Sequence, residues 1–289
     1  MSLKPDETEP KVRLCPDKSD MNEIVNNIFN ENCLETMARM PNEFVDLTVT
    51  SPPYDNLRTY NGYSFDFESI AQELLRVTKQ GGVVVWVVGD ATINGNETGT
   101  SFRQALYFKE CGFCLFDTMI YQKTGGLNSG SLKAYQQKFE YMFVLSKGNP
   151  KTINLIKDRP NKHTTPRKKK KRQKDGTTVE QMVYTASHGV RYNIWEYQTG
   201  FHHSTSDKDA FGHPAIFPEQ LAHDHIISWS NDGDLVYDPF MGSGTTAKMA
   251  LLNNRNYIGS EISKEYCEIA NKRISRDLFL HSQNNTFHE

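Results

Sequence analysis

The sequence has little of three things that would place a protein in a special class: cysteine, long apolar runs, and charge of one sign. Its 289 residues include five cysteines, an odd and small number that argues against a disulfide framework. No apolar stretch approaches the length of a membrane-spanning helix, and the polar start Met1-Ser2-Leu3-Lys4-Pro5-Asp6 lacks a signal-peptide core. We therefore expect a cytoplasmic protein without a membrane partner.

The charges nearly cancel, with a formal net charge of −2 and a pI near 6.5. A balance of this kind gives no overall nucleic-acid signal, so any affinity for DNA has to come from a local concentration of basic residues. With 37% hydrophobic and 24% charged residues, the chain suffices for one sizeable α/β domain with an inserted lobe.

The metal-ligating residue types do not form a convincing site. Cys111 and Cys114 have a suggestive spacing but no second pair, and Gly112 between them is typical of a helix end. His223 and His225 fall in a predicted helix, where residues two positions apart point in different directions. We predict no metal site.

An unusual tetrapeptide, Ser51-Pro52-Pro53-Tyr54, follows a strand-like run over residues 45–49. Two successive prolines cannot donate to a β-ladder and hold the chain stiff. The Ser51 hydroxyl and the Pro52 carbonyl are therefore presented as two fixed acceptors, with the Tyr54 ring beside them. This arrangement suits a planar amine that offers two N–H bonds and a ring to stack on.

A glycine-rich turn, Asp238-Pro239-Phe240-Met241-Gly242-Ser243-Gly244-Thr245-Thr246, lies far downstream between a predicted strand at 234–237 and a helix from Thr245. Glycines leave backbone amides open and let a ligand approach closely. The turn is not a phosphate-binding P-loop, because the required Gly-Lys-Ser/Thr ending is absent. It predicts the seat of a cofactor.

Both motifs, in this order, resemble those of the DNA amino-methyltransferases that use S-adenosylmethionine, in the permuted, beta-class-like arrangement where the catalytic tetrapeptide precedes the cofactor loop. The resemblance extends over residues 27–274. It implies that Ser51, Pro52, Pro53 and Tyr54 are catalytic, that S-adenosylmethionine is the cofactor, and that double-stranded DNA is the substrate. The predicted cofactor contacts are Asn32, Asp238, Pro239, Phe240, Gly242, Ser243, Gly244, Thr245 and Glu261.

Glu261 and Asn32 are the cofactor contacts outside the glycine turn. Glu261 ends the next predicted strand, where a carboxylate can accept both ribose hydroxyls, as acidic residues do in dinucleotide-binding folds. Asn32 stands where the family often has an Asp that holds the adenine amine, and its amide oxygen can accept the same N–H.

The target base is set less firmly than the reaction. Family members with Ser at the first position of the tetrapeptide look mostly like cytosine-N4 enzymes, so Ser51 favours cytosine over adenine-N6, although both amines present the same donors. Methylation of RNA or of a protein amide, and an inactive DNA-binding module, remain alternatives. The resemblance leaves open a cognate restriction endonuclease and a homodimer, and implies a prokaryotic or phage-type, nucleoid-associated protein.

The order of predicted elements indicates a doubly wound, mostly parallel Rossmann-like sheet with an antiparallel edge. We expect a polar lead at 1–26, a catalytic half at 27–149, an inserted target-recognition region at 150–214 and a cofactor-binding half at 215–289. The inserted region contains the basic run that we predict to bind DNA: Arg167, Lys168, Lys169, Lys170, Lys171, Arg172 and Lys174. A mobile solvated loop is the alternative for this run, and such a loop can still bind phosphates.

Overall fold

The structure is a computed structural model that describes residues 23–53, 65–125, 135–162, 164–199, 204–205, 207 and 217–285. Side chains are described as far as residue 276. None of the helices in the described part of the chain has the length and apolar content that a membrane span requires.

The strands are β1 (Asn27–Phe29), β2 (Val45–Thr50), β3 (Thr78–Val88), β4 (Thr92–Ile93), β5 (Asn96–Glu97), β6 (Cys114–Thr124), β7 (Phe139–Ser146), β8 (Arg159–Pro160), β9 (Arg167–Arg172), β10 (Thr178–Val183), β11 (His188–Gly189), β12 (Ile194–Gln198), β13 (Leu235–Asp238) and β14 (Asn256–Ser260). The helices are α1 (Cys33–Arg39), α2 (Phe67–Val77), α3 (Thr100–Cys111), α4 (Glu219–Trp229), α5 (Thr245–Leu252) and α6 (Lys264–Asn285).

The main sheet has eight strands in the order β1-β14-β13-β2-β3-β7-β6-β12. The first five are parallel to one another, β7 runs antiparallel to β3 and β6, and β12 is parallel to β6. The predicted fold class, a mostly parallel doubly wound sheet with antiparallel pairing on one side, is confirmed. The outermost strand on that side is β12, which comes from the predicted insertion, and the antiparallel strands β6 and β7 lie inside it.

Strand β3 shows why the sheet needs helices on both faces. Val83, Val85 and Val87 pack into one core cluster with residues of α4, α5 and α6. Val84, Trp86 and Val88 alternate with them and pack into a second cluster with α1, α2 and α3. The run reads as continuously apolar because both faces of the strand are buried, as expected for a central parallel strand.

The parallel strands β1, β14, β13, β2 and β3 all end at the same edge of the sheet. The two sequence motifs follow β2 and β13, which are direct neighbours with Tyr237 opposite Thr48. Open α/β sheets bind their ligands outside this carboxyl edge. The order of strands therefore places both motifs at the edge where a ligand crevice forms.

Candidate active site and cofactor loop

The tetrapeptide begins directly after β2. Pro52 is buried, while Ser51 and Pro53 are partly buried. Tyr54, the fourth predicted catalytic residue, lies outside the described residues. The preceding strand is anchored on both faces, since Val49 and Thr50 are fully buried. A buried strand end therefore immediately precedes Ser51 and Pro52.

Two hydrogen bonds join this strand end to the glycine turn. The Thr50 hydroxyl donates to Asp238 Oδ1 over 2.6 Å, and both residues are buried. The Thr246 hydroxyl donates to the Val49 carbonyl over 3.2 Å. Segments almost two hundred residues apart in sequence thus meet side by side, and the start of the tetrapeptide adjoins the start of the turn.

Asp238 has an unusual protonation equilibrium. Burial raises its pKa from 3.8 to about 6, because the charged carboxylate loses its hydration. The Thr50 hydroxyl and the Phe240 backbone N–H, which donates to Oδ1 over 3.0 Å, partly offset the increase. Through these two hydrogen bonds, Asp238 ties β2 to the turn that follows β13.

The glycine turn has a compact backbone. The Met241 N–H donates to the Ser260 carbonyl over 2.9 Å, which links the turn to β14, and the Gly244 N–H closes it by donating to the Met241 carbonyl over 2.9 Å. Gly242 and Gly244 have φ values of 52° and 84°, in the left-handed region that favours glycine.

Gly244 packs closely against helix α6. A Cβ atom at this position would lie 2.8 Å from Ala270 Cβ and 3.0 Å from Ala270 Cα. The missing side chain therefore makes room for helix α6. The approach of a ligand to this backbone stays a prediction.

Glu261 follows β14 and faces the same turn. Its Oε2 accepts the Gly242 N–H over 2.8 Å, and its Oε1 accepts the Ser263 N–H over 2.8 Å. Burial is the main cause of the raised pKa of this carboxyl, and the backbone N–H groups work against the increase. Each carboxylate oxygen has a second lone pair. Each oxygen of Glu261 therefore keeps an acceptor position beyond its backbone partner.

Other predicted cofactor contacts also lie at this edge, with local partners of their own. The Asn32 Oδ1 accepts the Leu34 N–H over 2.9 Å and caps helix α1; its second lone pair stays available for an amine. Phe240 makes edge-to-face contacts with Phe65 and Trp86, at centroid distances of 5.6 and 6.1 Å. Pro239 is buried.

Arg273 is a residue of this site that sequence reasoning missed. It is completely buried on α6 and contacts Ser243 and Thr245 of the glycine turn. From the sequence, an arginine in an amphipathic helix is expected to be exposed to solvent. Its acidic partners Asp207 and Glu219 are more than fifty residues away in the chain. Only the packed structure brings them together.

The basic run is a β-strand and not a loop. Strand β9 pairs antiparallel with β10 from Arg167↔Val183 to Arg172↔Thr178. The connecting turn is closed by the Gln173 N–H, which donates to the Thr177 carbonyl over 2.8 Å, and contains Lys174. We call residues 167–183 the basic hairpin. Every residue of β9 is exposed.

Within the part of the chain that the structure describes, no three His, Cys, Asp or Glu side chains are grouped to hold a metal ion. His225 is buried and accepts the Trp229 indole N–H over 3.2 Å. Burial lowers its pKa to about 3, so the imidazole is neutral.

Known proteins resemble this chain in sequence and in fold. The orphan methyltransferase M.BamHII of Bacillus amyloliquefaciens is 63% identical over 244 residues, which cover 83% of this chain and 92% of that protein. The Type II methyltransferase M.BglII of Bacillus subtilis is 26% identical, with 91% of this chain and 72% of that protein covered.

Two solved structures share the fold. The complex of M1.HpyAVI with SAM matches with a TM-score of 0.59 and 20% identity, covering 86% of this chain and 98% of that one. The cytosine-N4-specific PvuII DNA methyltransferase matches with a TM-score of 0.60 and 20% identity, covering 87% and 90%.

The family model N6_N4_Mtase, described as DNA methylase, matches residues 45–272 and so spans the tetrapeptide, the basic hairpin and the glycine turn. The predicted family is confirmed, and with it S-adenosylmethionine as the methyl donor that this family uses. The chain belongs to the DNA methylase family.

Proposed function

We propose that this protein transfers a methyl group from S-adenosylmethionine to the exocyclic N4 amine of a flipped-out cytosine at a specific site in double-stranded DNA. The observation on which this depends most is the buried hydrogen bond of 2.6 Å between Thr50 and Asp238. It holds the tetrapeptide beside the cofactor loop, as a transfer between their two ligands requires.

The tetrapeptide solves a problem of nucleophilicity. The lone pair of an exocyclic amine is delocalised into the base, so the amine needs acceptors for its N–H bonds before it can attack. The Pro52 carbonyl accepts one N–H and the Ser51 hydroxyl accepts the other, while the hydroxyl proton points elsewhere. Pro53 keeps the segment stiff. The prolines thus fix the direction of the amine relative to the donor.

The cofactor supplies an activated methyl group on a sulfonium, so the protein supplies mainly alignment, which is worth up to about 7–11 kcal/mol in favourable cases. Glu261 would accept the ribose hydroxyls of the bound cofactor. The turn from Asp238 to Thr245, which includes Pro239, Gly242 and Ser243, would hold its methionine part. Phe240 and Asn32 lie on the adenine side.

The base has to leave the duplex to reach Ser51, which costs a few kcal/mol. We propose that Tyr54 stacks on the flipped base and recovers part of this energy. The basic hairpin contacts the phosphates, because a two-stranded ribbon fits the major groove and its cations are exposed. The divisions 27–149, 150–214 and 215–289 then correspond to catalysis, recognition and cofactor binding.

Cytosine is favoured over adenine by Ser51 at the first position of the tetrapeptide. Adenine-N6 is the second candidate, because its amine presents the same two donors. The test is nucleoside mass spectrometry of DNA from cells that produce the protein, with the Ser51→Ala variant as control. We expect N4-methylcytosine with the wild-type protein only. N6-methyladenine alone would overturn the choice of base, and no methylated base in DNA would overturn the function.

The nuclease partner and the homodimer stay predictions. The 63% identical relative is named an orphan methyltransferase, which favours action without a cognate nuclease. Expression of the active methyltransferase in cells that lack any partner nuclease, followed by digestion of their DNA with a panel of restriction enzymes, would identify both the protected site and the candidate nuclease.

A further inference from the structure

Arg273 is a buried cation at the base of the glycine turn. The residue has no exposed surface, and each nitrogen of its guanidinium has a partner. Nε donates to Asp207 Oδ2 over 2.9 Å, and Nη2 donates to Glu219 Oε1 over 2.9 Å. The remaining nitrogen, Nη1, donates to the Ser243 carbonyl. One arginine therefore connects two carboxylates to the loop.

The contact with Ser243 fixes the orientation of one peptide unit. In a trans peptide the carbonyl and the following N–H point in opposite directions. Arg273 holds the Ser243 carbonyl toward α6, while the Gly244 N–H points to the Met241 carbonyl at 2.9 Å. Nη1 also donates to the Ser243 hydroxyl over 3.1 Å. The peptide is held at both ends, which determines how the turn presents its other amides.

Ala270 lies one helical turn before Arg273 and faces the same loop. A Cβ at Gly244 would contact Ala270 at 2.8 Å, so the helix and the turn are packed as closely as glycine allows. Residues three apart lie on one face of a helix. The face of α6 formed by Ala270 and Arg273 is therefore the support on which the turn rests.

Two carboxylates and two further cations surround Arg273. Lys248 lies 2.9 Å from Glu219, and Arg276 lies 2.5 Å from Asp207. Despite its burial, Asp207 has its pKa lowered to about 2 by the two arginines. In the cofactor loop, the guanidinium contacts only uncharged groups, namely a carbonyl and two hydroxyls. The loop contact thus sets geometry, while the carboxylates compensate the charge.

We propose that Arg273 is a positioning residue of the cofactor loop, which sets the affinity for S-adenosylmethionine by orienting the Ser243–Gly244 peptide. The proposal rests on the proposed function in one respect, the assignment of the glycine turn as the cofactor seat. It does not depend on which base is methylated, nor on DNA.

The test compares Arg273→Met and Arg273→Lys with Arg255→Met. Arg255 is the matched control, because its side chain is 8% exposed and donates to backbone carbonyls, with the Ser230 carbonyl at 2.8 Å, at the other end of strand β14. S-adenosylmethionine affinity is measured by calorimetry without DNA, and unfolding temperature by scanning calorimetry.

We expect both Met variants to lower the unfolding temperature, and Arg273→Met alone to raise the Kd for S-adenosylmethionine, by roughly ten- to hundredfold for a lost charged hydrogen bond. Arg273→Lys keeps the charge but not the planar fork and should lie between. In steady-state assays the KM for the cofactor should rise in Arg273→Met and in Arg273→Lys, with kcat at saturating cofactor nearly unchanged.

Wild-type affinity in Arg273→Met, or an equal loss in Arg255→Met, would overturn the proposal. If Arg273→Met does not fold, Arg273→Lys decides by the same criteria. A wild-type protein that fails to bind S-adenosylmethionine would instead refute the proposed function, so the two failures are distinguishable.

Discussion

The cofactor loop and the basic hairpin differ in what holds their functional groups in place. Around the loop, Asp238, Ser243 and Glu261 are 5%, 4% and 7% exposed, and each is hydrogen-bonded within the protein. In the hairpin the Lys168 side chain is 74% exposed, and its ion-pair partner Glu180 is 3.6 Å away. The first region is organised before any ligand arrives. The second presents charge whose final geometry depends on the partner.

The largest expected effect is that of Gly244→Val, compared with Gly176→Val in the hairpin turn. Both glycines have positive φ, 84° and 88°. A Cβ at Gly244 meets Ala270 at 2.8 Å, whereas a Cβ at Gly176 meets nothing within 4 Å. We expect Gly244→Val to abolish binding of S-adenosylmethionine in calorimetry and Gly176→Val to leave it intact. An equal loss of cofactor affinity in the two variants would show that backbone strain, and not the contact with Ala270, causes the loss.

Next comes Ser51→Ala, which removes one acceptor from the target amine. We expect kcat for methyl transfer to fall by about 10²–10³-fold, the usual cost of one positioned hydrogen bond in a transition state. Affinity for the cofactor should stay the same, since the glycine turn is intact. Radiolabelled methyl transfer and calorimetry measure the two quantities. A variant that lost cofactor affinity and kept kcat would contradict the assigned role.

The hairpin offers two charge-matched triple variants. Cross-strand partners lie on one face, so Arg167, Lys169 and Lys171 form one face and Lys168, Lys170 and Arg172 the other, together with Glu180. We expect neutralising the first set to Gln to weaken DNA binding more, and to reduce the slope of log K against log salt by about 2–3. Neither should change cofactor affinity.

DNA titrations at several salt concentrations measure this effect. Equal losses from the two triples would mean that the hairpin acts only through its total charge. No loss from either would exclude the hairpin from the DNA interface and leave the loop chemistry unaffected.

The smallest effect concerns Asp238 and pH. Its folded pKa of about 6 lies above the ordinary 3.8, so the folded state binds the proton more tightly than the unfolded state. The stability that this group contributes is complete below about pH 4 and is lost as the pH rises through 6. Compared with Asp238→Asn, the wild-type free energy of unfolding should fall by about 2–3 kcal/mol over that range, since one pKa unit corresponds to about 1.4 kcal/mol. Urea denaturation at several pH values measures it; a constant difference would contradict the buried carboxyl.

Much of the fold could be predicted because its elements have local causes. The apolar run Val83 to Val88 predicts a strand covered on both faces, and the prolines and glycines mark where β2 and β13 end. Because both motifs follow parallel strands, the order of the elements then suffices to place them at the carboxyl edge of the sheet. The predicted antiparallel edge corresponds to β6 and β7. Strand β12 is not predicted, although its buried Trp195 and Tyr197 alternate with exposed residues, because it lies in the region interpreted as a DNA-recognition insertion.

The rest depended on contacts that are distant in sequence. Arg273, Asp207 and Glu219 meet only after folding, and no spacing predicts that meeting. The close packing of Gly244 against Ala270 is likewise not predictable from the sequence, because Ala270 belongs to a later helix. The sequence alone does not distinguish a loop from a strand in the basic run, because lysine-rich sequences lack strand propensity. The pairing with β10 supplies the order.

The most direct test of the central claim is a structure of the protein with a cofactor analogue and DNA that contains its target site. The account predicts the target amine about 3 Å from both Ser51 Oγ and the Pro52 carbonyl oxygen, with the ribose hydroxyls on Glu261. A flipped base bound away from Ser51, or a cofactor seated away from the glycine turn, would contradict it.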